Sequence, residues 1–157
     1  MTPDRGGVVE QTIRIAARPE IVFDLLVDAR QMLRWQGIEA EADPRPGGLY
    51  RVRMNALGHT IRGRFVEVTP HTRVVYTWGW EVGELPVPAE SSTVEITLTR
   101  DGAGTVLHLL HHGLPDLEEV TSAHGGGWAR YLGRLSAIAE GRDPGPDEWA
   151  TGVMAGV

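Results

Sequence analysis

The chain has 157 residues, of which 41% are hydrophobic and 23% are charged, so we expect one globular domain with a core large enough to hold a pocket. A formal net charge of −6 disfavours a nucleic-acid partner, and the absence of cysteine excludes disulfides, thiolate metal sites and cysteine nucleophiles. No apolar run resembles a signal peptide or reaches the roughly 18 residues of a membrane span, which predicts a bacterial cytoplasmic protein without membrane insertion.

The N-terminal third predicts one strand and two short helices. Residues 8–16 read as the strand, and Pro19 stands in the first turn of a helix, where its missing N–H costs little. A second short helix is expected from Asp28 to Trp35. The sequence Pro-Arg-Pro-Gly-Gly at 44–48 is a turn that separates these helices from the rest of the chain.

The remainder predicts a run of strands and then one long helix. Alternating hydrophobic residues and turn signals place strands at 49–54, 60–68, 73–80, 92–99 and 105–113. A helix comes next, from about Asp116 or Ser122 to Glu140. Its apolar stripe is carried by Trp128, Tyr131, Leu132, Leu135 and Ile138.

This order predicts an α+β fold in which a curved antiparallel sheet of about six to seven strands grips the C-terminal helix. A parallel sheet would need crossover helices, for which residues 49–113 leave no room. The domain is expected over residues 1–140. Residues 141–157, rich in Gly and Pro, are expected to form a tail that Trp149 can pin back.

Short segments in a fixed order carry a resemblance over roughly residues 8–140: Arg-Pro-Glu-Ile-Val-Phe at 18–23, Leu-Arg-Trp at 33–35, Arg-Pro-Gly-Gly at 45–48, Gly-Arg-Phe-Val-Glu-Val at 63–68, Arg-Val-Val-Tyr-Thr-Trp at 73–78, Leu-His-Leu-Leu-His-His-Gly at 107–113, and His124 to Leu135. They resemble the START-like, Bet v 1-like (SRPBCC) helix-grip superfamily, and within it the bacterial group named for the activator of Hsp90 ATPase. The chain departs from that group at Gln36, where many relatives have a second tryptophan beside Trp35, and at Gly125 and Gly126.

The resemblance implies an internal cavity for a lipid, a polyketide or another hydrophobic small molecule. It leaves two alternatives open. The first is a protein of secondary metabolism, either a polyketide cyclase or aromatase or an antibiotic-sequestering protein. The second is a cochaperone-like or stress-response interaction protein. No cofactor is expected, and a homodimer is compatible with the pattern. Fold alone does not decide between these functions.

We expect the ligand site in an apolar pocket of about 300 Å³ between the sheet and the C-terminal helix. The inward-facing aromatic residues and their neighbours are the predicted lining. They are Trp35, Tyr50, Met54, Phe65, Tyr76, Trp78, Trp80, His111, His124, Trp128 and Leu132.

His111 and His124 are the polar candidates at this site and the weak candidates for catalysis. Each could bond a ligand or transfer a proton. The alternative is that His124 anchors the helix start and His111 is a satisfied buried side chain. No complete catalytic set accompanies them, because no Gly-x-Ser-x-Gly elbow surrounds any serine.

A metal site is not predicted. His108 and His112 share a strand face but lie about 13 Å apart at roughly 3.3 Å per residue, and the chain contains no His-Glu-x-x-His motif.

Three consecutive glycines, Gly125 to Gly127, predict a weak helix start, because each helical glycine costs about 1 kcal/mol relative to alanine. Two interpretations remain open: the segment gates the cavity, or glycine permits a close approach of helix and sheet.

Overall fold

The structure, a computed structural model, describes residues 6–81 and 86–150. Residues 1–5 of the predicted domain and 151–157 of the predicted tail lie outside the described residues. None of the described helices is long and apolar enough to cross a membrane.

Seven strands form one antiparallel sheet in the order β1-β7-β6-β5-β4-β3-β2, which confirms the predicted α+β helix-grip fold. Their bounds are β1 Gly7–Ile15, β2 Glu39–Ala42, β3 Leu49–Arg53, β4 Thr60–Thr69, β5 Arg73–Trp78, β6 Ser92–Asp101 and β7 Gly104–Leu114. Strand β2 was not predicted, because its four residues alternate between exposed glutamate and half-buried alanine, a weak hydrophobic pattern over a short length.

Three helices complete the fold: α1 Pro19–Val27, α2 Ala29–Met32 and α3 Glu118–Ala139. Asp28 begins α2 as predicted, since its carboxylate accepts hydrogen bonds from the backbone N–H groups of Arg30 and Gln31 at 3.0 and 3.1 Å. This helix ends at Met32, three residues earlier than expected.

Helix α3 begins at Glu118, so the three glycines lie inside the helix and the predicted weak helix start is wrong. Two acidic residues, Glu118 and Glu119, occupy the first turn, where the helix dipole favours negative charge. The glycines therefore weaken the second and third turns of α3.

The core lies between the concave face of the sheet and α3. Its deepest part is a group of three rings, Tyr50, Phe65 and Tyr76, which we call the inner cluster; each is 1% exposed. Tyr50 and Tyr76 are stacked with ring centroids 4.0 Å apart, and Phe65 meets both edge-on. Alternation along β5 then places Trp78 on the same face as Tyr76, two residues closer to the end of the strand.

Beyond α3 the chain reverses at Gly141, whose φ of +79° is the left-handed conformation that favours glycine after a helix. Residues 143–150, which we call the C-terminal segment, return along α3. Arg134 of α3 donates to the Gly145 carbonyl at 2.9 Å, and the Tyr131 hydroxyl donates to the Asp147 carboxylate at 2.9 Å. The segment brings Trp149, 3% exposed, into the core.

Candidate ligand-binding site

A pocket of about 60 Å³ opens between the sheet and α3, where β5 ends and β6 begins. Its lining is mostly aromatic and aliphatic, as in most small-molecule sites. The lining residues are Gln36, Met54, Ile61, Trp78, Trp80, His124, Gly127, Trp128, Tyr131 and Trp149.

Behind this lining, the fully buried His111 is held by a chain of three hydrogen bonds. The indole N–H of Trp128 donates to Nδ1 of His111 at 3.0 Å, and an indole nitrogen can only donate. In the neutral ring, Nε2 must therefore carry the proton and donate to Oγ of Ser92, 2.8 Å away. Ser92 completes the chain by donating to the Trp78 carbonyl at 2.7 Å.

Strand register explains this arrangement. Trp78 pairs with Ser92 across β5 and β6, and Val94 pairs with His111 across β6 and β7. Ser92 and Val94 point to the same face, so the hydroxyl lies diagonally beside the imidazole. Burial lowers the pKa of His111 to about 3, with smaller contributions from the charges of His124 and His112. The ring is therefore neutral near pH 7, and both of its nitrogens are occupied within the protein.

His124 is placed differently, on the second turn of α3 and facing the pocket. Its Nδ1 is 2.7 Å from the Val120 carbonyl oxygen, which can only accept, so Nδ1 carries the proton in the neutral ring. Burial lowers the pKa of His124 more than this hydrogen bond raises it. Among the described residues Nε2 has no hydrogen-bond partner, which leaves one acceptor directed to the pocket side of the helix.

Four rings form the rim of the pocket, and we call them the mouth cluster: Trp78, Trp80, His124 and Trp149. Trp78 meets Trp80 edge-on at 5.1 Å and His124 edge-on at 5.3 Å. Trp80 meets Trp149 edge-on at 5.7 Å. These contacts continue from α3 across the ends of β5 to the C-terminal segment.

Gln36 forms the polar edge between the pocket and the inner cluster. Its amide donates to the Tyr50 hydroxyl at 3.2 Å, and the Tyr50 hydroxyl donates to that of Tyr76 at 3.5 Å. Burial raises the pKa of both tyrosines, so their hydroxyls stay protonated. Glutamine at this position therefore supplies the hydrogen-bond donor that the buried Tyr50 hydroxyl accepts from.

The sequence profile of the family described as Activator of Hsp90 ATPase homolog 1-like protein matches residues 16–140, which include most of the pocket. The chain belongs to this family. Comparison with curated proteins gives no significant match.

Solved structures agree with membership of the Hsp90 ATPase activator homolog 1-like family. An AHSA1-like protein of Rhizobium etli shares 45% identity with the chain, covers 92% of it and 91% of its own length, and has a TM-score of 0.70. CalU16 of Micromonospora echinospora is 26% identical, and the match covers 84% of this chain and 75% of CalU16, with a TM-score of 0.68. An HSP90 activator of Plasmodium falciparum is 26% identical, and the match covers 85% of this chain and 96% of the activator, also with a TM-score of 0.68.

Within this family fold, the structure divides the eleven predicted site residues into two groups. Those that line the pocket are Met54, Trp78, Trp80, His124 and Trp128. Those that lie outside its lining are Trp35, Tyr50, Phe65, Tyr76, His111 and Leu132, all of them 0–1% exposed. Periodicity identifies an inward-facing side chain, but it does not tell which part of the interior is solid.

Trp35 illustrates the second group. Its indole N–H donates to the Leu25 carbonyl at 2.7 Å, and its own carbonyl accepts from Arg134 at 3.0 Å. Both contacts tie α1 and α2 to α3, so Trp35 has a role in packing.

Sequence reasoning did not assign five lining residues to the pocket: Gln36, Ile61, Gly127, Tyr131 and Trp149. Tyr131 was recognisable, because it lies on the predicted inner stripe of α3. Trp149 was expected to pin the tail back and is indeed buried, but nothing in the sequence placed it in the pocket, since it comes after a stretch without secondary structure and without periodicity. The pocket of about 60 Å³ is much smaller than the expected volume of about 300 Å³.

No group of three or more His, Asp or Glu side chains within residues 6–81 and 86–150 could hold a metal ion. The histidines of β7 instead bond single carboxylates on the neighbouring strands. His108 contacts Glu10, and His112 contacts Glu95, each at 2.6 Å.

Proposed function

We propose that the protein binds a planar, mostly apolar aromatic molecule in the pocket between the sheet and α3, with one hydrogen-bond donor of the ligand directed to Nε2 of His124. The observation that carries this proposal is the combination of an aromatic lining with a single neutral imidazole acceptor at its edge. Aromatic rings supply contact area, and the acceptor supplies orientation.

The burial of His124 supports an uncharged ligand with a donor such as a phenol hydroxyl, rather than a cationic or anionic ligand. The lowered pKa of His124 keeps its ring uncharged near pH 7, so it offers no positive charge to an anionic ligand. An uncharged acceptor beside Trp78 and Trp128 selects a molecule that is itself uncharged, because an ion would lose its hydration without a counter-charge.

The state of His111 favours binding over proton-transfer catalysis of the cyclase type. A general acid or base needs a nitrogen within reach of the substrate. Both nitrogens of His111 are hydrogen-bonded, to Trp128 and to Ser92, and the ring lies behind the lining. His124 has one described hydrogen-bond partner, the Val120 carbonyl, which orients the ring but cannot exchange a proton with it.

The outer face of the sheet favours the pocket over a cochaperone-like docking surface. In the described residues that face carries ion pairs, including Arg73 with Glu95 at 2.5 Å between two strands, and Arg51 of β3 with Glu81, which follows β5, at 2.7 Å. An interaction surface for a protein partner would be expected to expose a contiguous apolar patch instead.

The test compares two ligands on two proteins by isothermal titration calorimetry. 2-Naphthol has a donor, and 2-methoxynaphthalene has the same ring system without one. We expect the wild-type protein to prefer 2-naphthol by about tenfold, the worth of one hydrogen bond. In His124→Phe, which keeps an aromatic ring against Trp78, the preference should disappear.

Binding of neither compound at millimolar concentration to the folded wild-type protein would contradict the proposed function. An unchanged preference in His124→Phe would contradict the role given to His124. Circular dichroism of the variant provides the control for folding.

A further inference from the structure

We propose that Trp149 occupies the position of the aromatic ligand when the pocket is empty, and that the C-terminal segment is a displaceable plug that competes with the ligand. This inference rests on the proposed function and specifies how that site is regulated. It also narrows the ligand class to planar bicyclic aromatics of about the size of an indole.

The volume of the pocket supports the plug first. The space that remains beside Trp149 is about 60 Å³, well below the roughly 300 Å³ of a typical small-molecule site. Of the lining side chains, Trp149 is the one contributed by neither the helices nor the sheet nor the loops joining them. It also lies beyond residues 16–140, the part of the chain that matches the family. Its departure would enlarge the pocket without moving the sheet or α3.

The seat in which the indole lies is suited to another planar ring. The indole is stacked on His59 with centroids 5.7 Å apart and an angle of 21° between the planes, and it meets the edge of Trp80 at 5.7 Å. His59 is itself fixed by the fully buried Asn55, whose side chain contacts Nδ1 at 2.8 Å and accepts from the backbone N–H at 3.1 Å. His59 belongs to the loop between β3 and β4, and Trp80 follows β5, so both rings would remain in place when Trp149 leaves.

Trp149 also fits its seat incompletely. Its Nε1 atom is buried and has no hydrogen-bond partner among the described residues. A buried donor without an acceptor has lost its hydrogen bond to water and forms no other in its place, which destabilises the buried state. Release of the indole restores that bond, which offsets part of the lost packing and makes the seated state easier to displace.

The attachment of the C-terminal segment permits such a release. Residues 142–147 form no helix or strand, and a cleft of about 440 Å³ lies between the segment and α3. Tyr131 and Arg134 span this cleft by their hydrogen bonds to Asp147 and to the Gly145 carbonyl. A segment bridged by a few polar contacts can move as a unit while α3 stays in place.

Competition has a quantitative consequence. If the pocket accepts a ligand only when Trp149 has left, the apparent affinity is the intrinsic affinity reduced by the fraction of molecules that are open. Loosening the plug should therefore tighten ligand binding, the opposite of what loss of a contact residue does.

The experiment measures the dissociation constant of 2-naphthol by calorimetry for the wild-type protein, Trp149→Ala and Asp147→Ala. Trp149→Ala removes the plug. Asp147→Ala leaves the indole intact and removes the acceptor that Tyr131 uses to hold the segment, and Asp147 does not line the pocket. We expect binding to tighten at least tenfold in Trp149→Ala and about threefold in Asp147→Ala.

A second readout tracks the plug directly. In a ¹H–¹⁵N spectrum of the wild-type protein, the Nε1–H signal of Trp149, assigned with Trp149→Phe, should move on addition of 2-naphthol to the position of a solvent-exposed indole. This readout does not depend on the stability of the alanine variants.

The outcomes separate the two proposals. Equal or weaker binding in both variants, with an unmoved Trp149 signal in the saturated wild-type protein, would overturn the plug and leave the proposed function standing. No binding to the wild-type protein would overturn both, since the plug rests on a ligand that the wild-type protein binds.

Discussion

The inner cluster and the mouth cluster are built from the same kinds of residue and differ in what the chain does around them. Tyr50, Phe65 and Tyr76 are 1% exposed, and the two tyrosine hydroxyls share a hydrogen-bond chain with Gln36. At the mouth, His124 has a nitrogen without a described partner and Trp149 has a buried N–H without one. Aromatic content alone therefore does not mark a binding site. A binding site is marked by polar atoms that lack a hydrogen-bond partner and by unfilled space beside them.

The strongest test of this difference is a pair of truncations. Phe65→Ala should lower the free energy of unfolding by about 3–5 kcal/mol, because it opens a sealed cavity that the surrounding strands cannot fill. Trp149→Ala should cost less than half of that, since water reaches the vacated space and the unpaired N–H is removed as well. Urea denaturation of both variants measures the two costs. Equal costs would mean that the mouth is packed as firmly as the core.

The second test asks whether His111 is sealed from solvent like the inner cluster or accessible like the mouth cluster. Its pKa in the folded protein is about 3, below the ordinary 6.5, so below pH 6.5 the unfolded chain binds a proton that the folded chain refuses. Stability should therefore fall as the pH is lowered from about 6.5 towards 3, by several kcal/mol at most, at about 1.4 kcal/mol per pKa unit.

The control for the pH experiment is His111→Phe, which cannot titrate but retains His124, whose pKa is also lowered. The melting temperature of the wild-type protein should drop more steeply with acid than that of the variant. Parallel curves would show that His111 exchanges protons with solvent and belongs to the mouth.

The boundary between the two clusters is also where prediction from the sequence stops. Alternation along β5 placed Tyr76 and Trp78 on the inner face correctly, because a strand has only two faces and one of them must be buried. Alternation could not show that Tyr76 stacks on Tyr50 whereas Trp78 lines the pocket. That difference depends on which side chains from other strands lie opposite each residue. The overall fold was predictable from the order of elements.

Two features of the site had no local signal in the sequence. Trp149 reaches the pocket through a stretch with no periodicity, so only the tertiary path of the chain reveals it. The partners of His111 come from β6 and α3: strand register places Ser92, and the packing of α3 on the sheet places Trp128. The observed start of α3 at Glu118 lies between the two predicted starts, Asp116 and Ser122, but the weak start attributed to the glycines is wrong, because the helix begins two turns earlier with an acidic first turn.

The smallest expected effect concerns these glycines. A Cβ atom at Gly125, Gly126 or Gly127 would meet nothing within 4 Å, so close approach of helix and sheet is not the reason for them. Gly126→Ala should therefore stabilise the protein by about 1 kcal/mol through helix propensity alone. If the weak turn gates the pocket, it should also slow the association of 2-naphthol in stopped-flow fluorescence.

Gly133→Ala is the matched control for that prediction. Gly133 lies in the same helix with equally open space around it, but it is six residues beyond Gly127, the glycine that lines the ligand pocket, whereas Gly126 is directly next to Gly127. Both variants should gain similar stability, and only Gly126→Ala should bind more slowly. Equal association rates for the two variants would remove the gate and leave the glycines without a kinetic role.

The open space above the glycine turn also makes the protein convenient for spectroscopy. The chain contains no cysteine, so Gly126→Cys would introduce a single thiol at a position where an added Cβ atom meets no neighbour within 4 Å. A nitroxide or a fluorophore attached there would report the motion of α3 beside the pocket without a prior round of thiol removal. The same helix turn that costs the fold some stability thus provides a clean site for a reporter group.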